Sequence, residues 1–300
     1  MISNLTTLIE RAKENPPKGV VVAAAEDVAV LGAIKKAVEE GVVYPILVGN
    51  KSEIEKVANS IQFDLSNIEI INNDDNDSLH SAEIAIEQIH KGKASILMKG
   101  NIATGTLLKA VLNKEKGLRK SKILSHVAFF ESPYYHKLLC VTDVAMNISP
   151  SLEDKVHILN NAVEACHKIG IDRPKVAVVA AVETVNPKMK ATIEAAELTE
   201  MNKNGVITGC VVDGPLAIDN AVSKDAAALK GITGEVAGDC DIILAPYIEA
   251  GNMFYKALNF LGGASVAAII MGATVPIVLT SRADSTQSKF MSIALAASMK

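Results

Sequence analysis

Tryptophan is missing from this 300-residue chain, and aromatic residues of all kinds make up only 4% of it. No aromatic platform for stacking single-stranded nucleic acid or glycans is visible. An excess of positive charge is missing too. A net charge of −4 and an isoelectric point near 5.9 argue against the basic footprint of a nucleic-acid binder. Cysteine is scarce: Cys140, Cys166, Cys210 and Cys240 lie far apart without CxxC spacing. They read as reduced, buried small hydrophobes rather than as a disulfide framework or a zinc site. No apolar run reaches membrane-spanning length, and residues 1–13 show no basic stretch followed by an apolar one. The expected location is the cytoplasm, with no membrane partner.

Several familiar templates are also absent. Lys99-Gly100-Asn101 lacks the spacing of a Walker A loop, and no GxGxxG follows the first apolar run at 19–29. No GxSxG elbow occurs. The six histidines show no HExxH or other close ligand spacing, and His126 and His136 read as structural. Asp239/Asp241 and Asp74/Asp75 would hold a metal only with partners that the sequence does not reveal. The acidic run 72–77 lacks the glycine and distal glutamate of an EF-hand loop and reads as the solvated start of a helix. No metal and no tightly bound cofactor is expected.

What is present is alternation. Hydrophobic residues reach 49% and charged residues 21%, enough for a sizeable core, and the length favours two domains. Short apolar runs at 19–25, 44–48, 68–71, 94–98, 123–130, 137–142, 176–181, 207–212, 241–245, 267–271 and 275–279 predict strands. Most connections are long enough for a crossover helix, which implies βαβ units and a largely parallel sheet. The loop around Ser132-Pro133-Tyr134 is too short for a crossover, so the strands flanking it should pair antiparallel. Ser151 and Asp154 predict a capping box, followed by a stripe of Leu152, Val156, Leu159, Val163 and Cys166, with Gly170 at C′. Asn186-Pro187 predicts a second helix start, with Met189, Thr192, Ile193 and Ala196 on one face. A change of character near 143–150 places a domain crossing there. Residues 1–143 plus 272–300 then form a discontinuous first domain, and 144–271 form a second.

Five segments share one arrangement, an apolar run ending in small or polar residues before a helix. The sharpest is 275–285, where Val275 to Leu279 give way to Thr280, Ser281, Arg282 and Asp284. In open α/β sheets ligands bind beyond the carboxyl ends of strands. Arg282 would stand there with a planar fork suited to phosphate or carboxylate, or would pair with Asp284. The other four carry Gly100, Asn101 and Thr104; Asp143 and Asn147; Asp213, Gly214 and Pro215; and Gly251, Asn252 and Lys256. Glycine permits close backbone approach, and helix starts offer N–H groups to anions. Asn252 is predicted as an N-cap, with Lys256 one turn into its helix.

Taken together these segments resemble the phosphate acetyl/butyryl transferase family, acyltransferases that interconvert acyl-CoA and acyl phosphate, over nearly the whole chain. The most specific pieces are Val212-Asp213-Gly214-Pro215-Leu216, Gly251-Asn252 with Tyr255-Lys256, and Ser281-Arg282. Met98-Lys99-Gly100, Asn113-Lys114-Glu115, Gly117-Leu118-Arg119, Ser125-His126-Val127-Ala128, Asn186-Pro187-Lys188-Met189, the run 231–238 and the run 279–285 resemble its butyryl branch most. The resemblance implies two α/β domains with mixed, largely parallel sheets and a cleft between them, as in isocitrate and isopropylmalate dehydrogenases, and a homodimer or higher homo-oligomer. It implies acyl-CoA and inorganic phosphate as substrates, with coenzyme A as substrate rather than fixed cofactor, and direct attack in a ternary complex. Arg282 would clamp phosphate, and Ser281 would hydrogen-bond the reacting carbonyl or thiolate. Arg119 and the lysines around it would contact the CoA nucleotide.

One position departs from that pattern. Six residues past the arginine, where the acetyl branch carries an aspartate taken as the base, this chain has Ser288. Asp284 is a substitute on chemical grounds, or no protein base is needed, since a thiol with pKa near 8.5 is a few per cent ionised at neutral pH. An acetyl-specific transferase stays open beside the butyryl reading. A metal- and NAD-dependent dehydrogenase of the same fold would need an aspartate cluster and an adenosine loop, neither of which is found. A non-catalytic sensor is disfavoured by Ser281, Arg282 and Asn252 standing together.

Overall fold

The computed structural model describes residues 4–74, 77–281 and 284–300. The chain divides into two compact units. One comprises Thr6–Lys122 and Ala267–Met299 and is called here the outer unit. The other is built on Ile123–Val266 and is called the middle unit. These changeovers fall about twenty residues before and five residues before the expected crossings at 143/144 and 271/272. The earlier one moves because β5 (Ser125–Glu131) and β6 (Leu139–Thr142) form a hairpin, and β6 also pairs with β9 (Ile242–Leu244) of the middle unit.

In the outer unit the strand order is β3 (Glu69–Asn72), β2 (Val43–Gly49), β1 (Lys18–Ala23), β4 (Ile96–Lys99), β11 (Ile277–Val278) and β10 (Ser265–Met271). The first five run parallel, and β10 pairs antiparallel with β11 through Ile270 and Ile277. That antiparallel pair was not foreseen. The link 272–276 is too short for a crossover, by the rule that identified the other hairpin. Five of the six residues in β1 are buried, as expected for a strand covered on both faces. Helices α1 (Thr6–Lys13), α2 (Val28–Glu39), α3 (Lys51–Ser60), α4 (Ser78–His90), α5 (Thr104–Val111) and α11 (Thr286–Ser298) cover this sheet. Asp27, Asn50, Asp77 and Ser285 each cap a helix start through the side chain. α11 is buried without interruption from Lys289 to Ser298 and packs on α1 and α2.

In the middle unit the order is β5, β6, β9, β7 (Lys175–Val179) and β8 (Val211–Leu216), antiparallel between β5 and β6 and parallel elsewhere. α6 (Leu152–Lys168) begins with the expected capping box, and Gly170 follows its last turn at φ 93°. Its buried Lys155 meets the equally buried Glu194 of α7 (Lys190–Lys203) at 2.5 Å. α7 starts three residues later than predicted. Asn186 instead closes a turn, accepting from the Lys188 amide, and the buried face runs through Thr192, Ala195 and Leu198 rather than Met189, Ile193 and Ala196. The remaining helices are α8 (Ile218–Val222), α9 (Lys224–Leu229) and α10 (Ile248–Phe260). All four cysteines are buried and unbonded, and burial raises the Cys240 thiol to about 12.

Candidate active site

Some of the predicted site residues lie at the carboxyl ends of parallel strands within each unit, and others do not. In the outer unit β4 and β11 are neighbours in register, Leu97 with Ile277 and Met98 with Val278. Their exits, beginning at Lys99 and at Leu279, therefore leave the same edge of the sheet. Gly100 is required by close approach: a Cβ there would collide with the carbonyl oxygens of Ala23 and Ala24 at the end of β1. The Gly100 and Asn101 amides donate to those same carbonyls at 2.9 and 2.6 Å. They lock the loop in place, and they are not the spare anion donors the sequence suggested. Thr104 opens α5, whose start at Ala103 has no side-chain cap, so free N–H groups remain at its first turn.

On the adjacent exit, Asp284 accepts from the Ser281 amide at 2.6 Å and donates its own amide to the Ser281 carbonyl at 3.2 Å. Arg282 lies outside the described residues. The loop is anchored by a residue that sequence reasoning missed. Lys289, one turn into α11 and buried, donates to the carbonyls of Ser281 at 2.7 Å and Asp284 at 3.1 Å. Burial pushes its ammonium below the usual lysine range, while Asp284 and Asp27 pull in the other direction. The signal was available, since Lys289 is the single charged residue in the otherwise apolar and small-residue stretch of α11. Lys99 is buried as well, with its ammonium 3.2 Å from the Gly100 carbonyl.

In the middle unit the exit of β6 is organised by Asp143. Its carboxylate, 4% exposed, accepts from the amides of Ala145, Met146 and Asn147 at 2.9–3.1 Å, from the Asn147 side chain at 2.6 Å and from the His126 amide at 3.3 Å. Asp143 thus holds the loop, and Asn147 ties it to the Leu124 carbonyl at 2.9 Å. α10 starts at Ile248, after Tyr247, so Asn252 is not an N-cap. It sits in the second turn and donates to the Val144 carbonyl at 3.0 Å. Beside it, a Cβ on Gly251 would come within 2.5 Å of the Asp143 carbonyl oxygen. The Gly251-Asn252 pair therefore docks the helix on the β6 exit instead of opening the helix. Tyr255 packs edge-on against His126 and Phe130, and Lys256 is exposed on the same helix.

Asp213, Gly214 and Pro215 lie inside β8, not beyond it. The expected strand at 207–212 is observed at Val211–Leu216, with a register shift against β7 between Ala177 and Val179. β8 is an edge strand in this order, a position that tolerates proline. Half-buried Asp213 has its carboxyl pushed upward by desolvation. The Asp239/Asp241 pair is engaged by Lys137 and Lys175, which accounts for it without a metal. Among the described residues, no group of three or more His, Cys, Asp or Glu could hold a metal ion.

Arg119 lies exposed in a groove of about 410 Å³ that it shares with Lys114, Lys120 and Lys122, and it donates to the carbonyls of Ser121 and Lys122. Its neighbours in sequence bond the Gly272 carbonyl, so the groove is pinned to the end of β10.

Comparison with known proteins places this geometry in context. The family model described as "Phosphate acetyl/butaryl transferase" matches residues 3–86 and 78–297. A probable phosphate butyryltransferase of Bacillus subtilis (strain 168) is 51% identical, over 97% of this chain and 96% of its own length. A phosphate acetyltransferase of Thermotoga maritima is 45% identical over 98% of both chains. Among solved structures, a branched-chain phosphotransacylase from Enterococcus faecalis V583 superposes with a TM-score of 0.83 at 36% identity, covering 94% of this chain and 98% of the other.

Proposed function

This chain belongs to the phosphate acetyl/butyryl transferase family, and from that premise we propose that it interconverts butyryl-CoA, or a related short or branched acyl-CoA, and phosphate with acyl phosphate and CoA. The observation that supports the reading is the pairing of β4 and β11, whose exits toward Gly100 and toward Ser281 start from one sheet edge. Phosphate is the substrate that most needs such a place. Arg282 would grip it bidentately, aided by the uncapped start of α5 at Thr104.

A phosphate oxygen then attacks the thioester carbonyl carbon. The tetrahedral oxyanion collapses, the C–S bond breaks and CoA leaves as thiolate. Ser281 donates to the developing charge, a contribution of roughly 3–4 kcal/mol for donors of this kind. Holding both substrates together in a ternary complex contributes about 7–11 kcal/mol more. Asp284 is the base for the reverse reaction if one is used; its bond to the Ser281 amide keeps its carboxyl beside the reacting loop. Asp143, Asn147, Gly251 and Asn252 shape the β6 exit that would carry substrate rather than touching it, exposed Lys256 remains a candidate contact, and the groove with Arg119 and its three lysines suits the CoA phosphates.

A homodimer is supported by α10, where only Gly251 is buried while Met253, Phe260 and the following Leu261 are 73%, 68% and 88% exposed. No helix among the described residues is long and apolar enough to cross a membrane. The four buried cysteines, none in a disulfide, fit a reducing cytoplasm, and a butyryl-CoA substrate would give the chain a place in short-chain fatty acid metabolism.

The test is release of free thiol from acetyl-, butyryl- and isobutyryl-CoA, with and without inorganic phosphate. Phosphate-dependent release, fastest with a four-carbon acyl group, is expected. Release independent of phosphate would refute the assignment, and a clear acetyl preference would move the chain to the acetyl branch.

A further inference from the structure

Lys99 is a cation where packing alone has little use for one. β4 lies between β1 and β11, and its other residues, Ile96, Leu97 and Met98, are apolar and fully buried. Lys99 closes the strand at 7% exposure. An ammonium held out of water is costly unless its charge is compensated. Its bond to the Gly100 carbonyl at 3.2 Å is not required to hold the loop. The Gly100 and Asn101 amides already fix that loop to the Ala23 and Ala24 carbonyls.

The segment after Lys99 opens to solvent: Asn101, Ala103, Thr104 and Gly105 are exposed. The amides of Thr106 and Leu107 both reach the Ala103 carbonyl, at 3.0 and 3.1 Å. Those of Thr104 and Gly105 have no acceptor among the described residues, and a Cβ on Gly105 would meet nothing within 4 Å. The first turn of α5 therefore offers donors with room in front of them, an arrangement that favours anions. A buried cation stands at the strand end that leads into it.

We propose that Lys99 is a phosphate-binding residue, the second cation of the seat at the start of α5. The proposal rests on the transferase reading above and adds a residue to its phosphate site. A phosphate group carries about −1.5 to −2 charges near neutral pH, more than the single guanidinium of Arg282 balances. Met98 pairs with Val278, so Lys99 and the segment leading to Arg282 leave neighbouring strands side by side. An ammonium acts there as a point charge and needs no fork geometry.

Two variants separate charge from packing. Lys99→Met keeps the bulk of the side chain without its charge, and Lys99→Gln keeps a donor for the Gly100 carbonyl. In both, the KM for phosphate in thiol release from butyryl-CoA should rise about tenfold or more, while the KM for butyryl-CoA stays within about threefold. Added inorganic phosphate should raise the melting temperature of both variants less than that of wild-type protein, a readout that needs no turnover. A wild-type KM for phosphate in Lys99→Gln, or an undiminished phosphate shift in melting temperature, would make Lys99 a strut of the loop and overturn the proposal while the transferase stands. Wild-type protein inactive with every acyl-CoA overturns the transferase reading and the proposal with it.

Discussion

The Lys289 ammonium donates to the Ser281 carbonyl at 2.7 Å, so a cation buried in the last helix fixes the loop that leaves β11. Replacing it by methionine keeps the packing and removes both carbonyl bonds. Lys289→Met should lose at least tenfold in kcat with the fold retained. The stability effect has a definite sign. The folded pKa is depressed below the unfolded value near 10.4, so the unfolded chain binds more protons between the two. Wild-type stability should therefore rise with pH through that window relative to Lys289→Met, and be flat relative to it below the folded pKa. Urea midpoints from pH 7 to 10.5 read this directly.

Arg282→Ala should lower turnover by several orders of magnitude with the melting temperature preserved. Arg282→Lys should recover only a small part, because a point charge lacks the fork that matches two phosphate oxygens. Steady-state kinetics with phosphate varied at saturating acyl-CoA separates the two; near-normal activity in Arg282→Ala would remove this residue from the site.

Asp143→Ala strips the acceptor from three loop amides and the Asn147 side chain. Buried donors left without a partner make this costly, and we expect a loss of roughly 3 kcal/mol by chemical denaturation together with loss of activity. A variant of wild-type stability would mean that the loop is held by other contacts.

Glu194→Ala leaves the Lys155 ammonium buried without its nearest carboxylate, 2.5 Å away in the native protein. Breaking such a pair typically costs about 3–5 kcal/mol. The double variant Lys155→Met/Glu194→Leu should regain much of that loss, since an apolar pair carries no desolvation penalty. Denaturation midpoints of the single and double variants decide it.

Much of the architecture is legible because burial leaves a simple mark. Each of the eleven apolar runs appears as a strand, and the capping box at Ser151 and Asp154 is present with both bonds. What the sequence conceals are contacts between distant segments. Gly251-Asn252 has the composition of a helix start, yet both residues serve the approach of α10 to Asp143 and Val144, more than a hundred positions earlier. Asp213-Gly214-Pro215 looks like a loop because glycine and proline disfavour strands, but an edge position with a register shift accommodates them. Lys289 was visible as a lone charge in an apolar helix, but its partners are backbone carbonyls, which no residue pattern identifies.

The strand pair that aligns the two exits also imposes an order on synthesis. Leu97 of β4 finds its neighbour in Ile277, 180 positions further along the chain. At translation speeds of roughly 5–20 residues per second, β4 waits on the order of ten seconds or more with one flank unpaired. The intervening middle unit can fold on the ribosome in that interval, while the outer unit stays unfinished until β11 and α11 emerge. A nascent chain of this protein is thus exposed to misassembly at β4 for most of its synthesis, and that makes this strand the natural place for a chaperone to act.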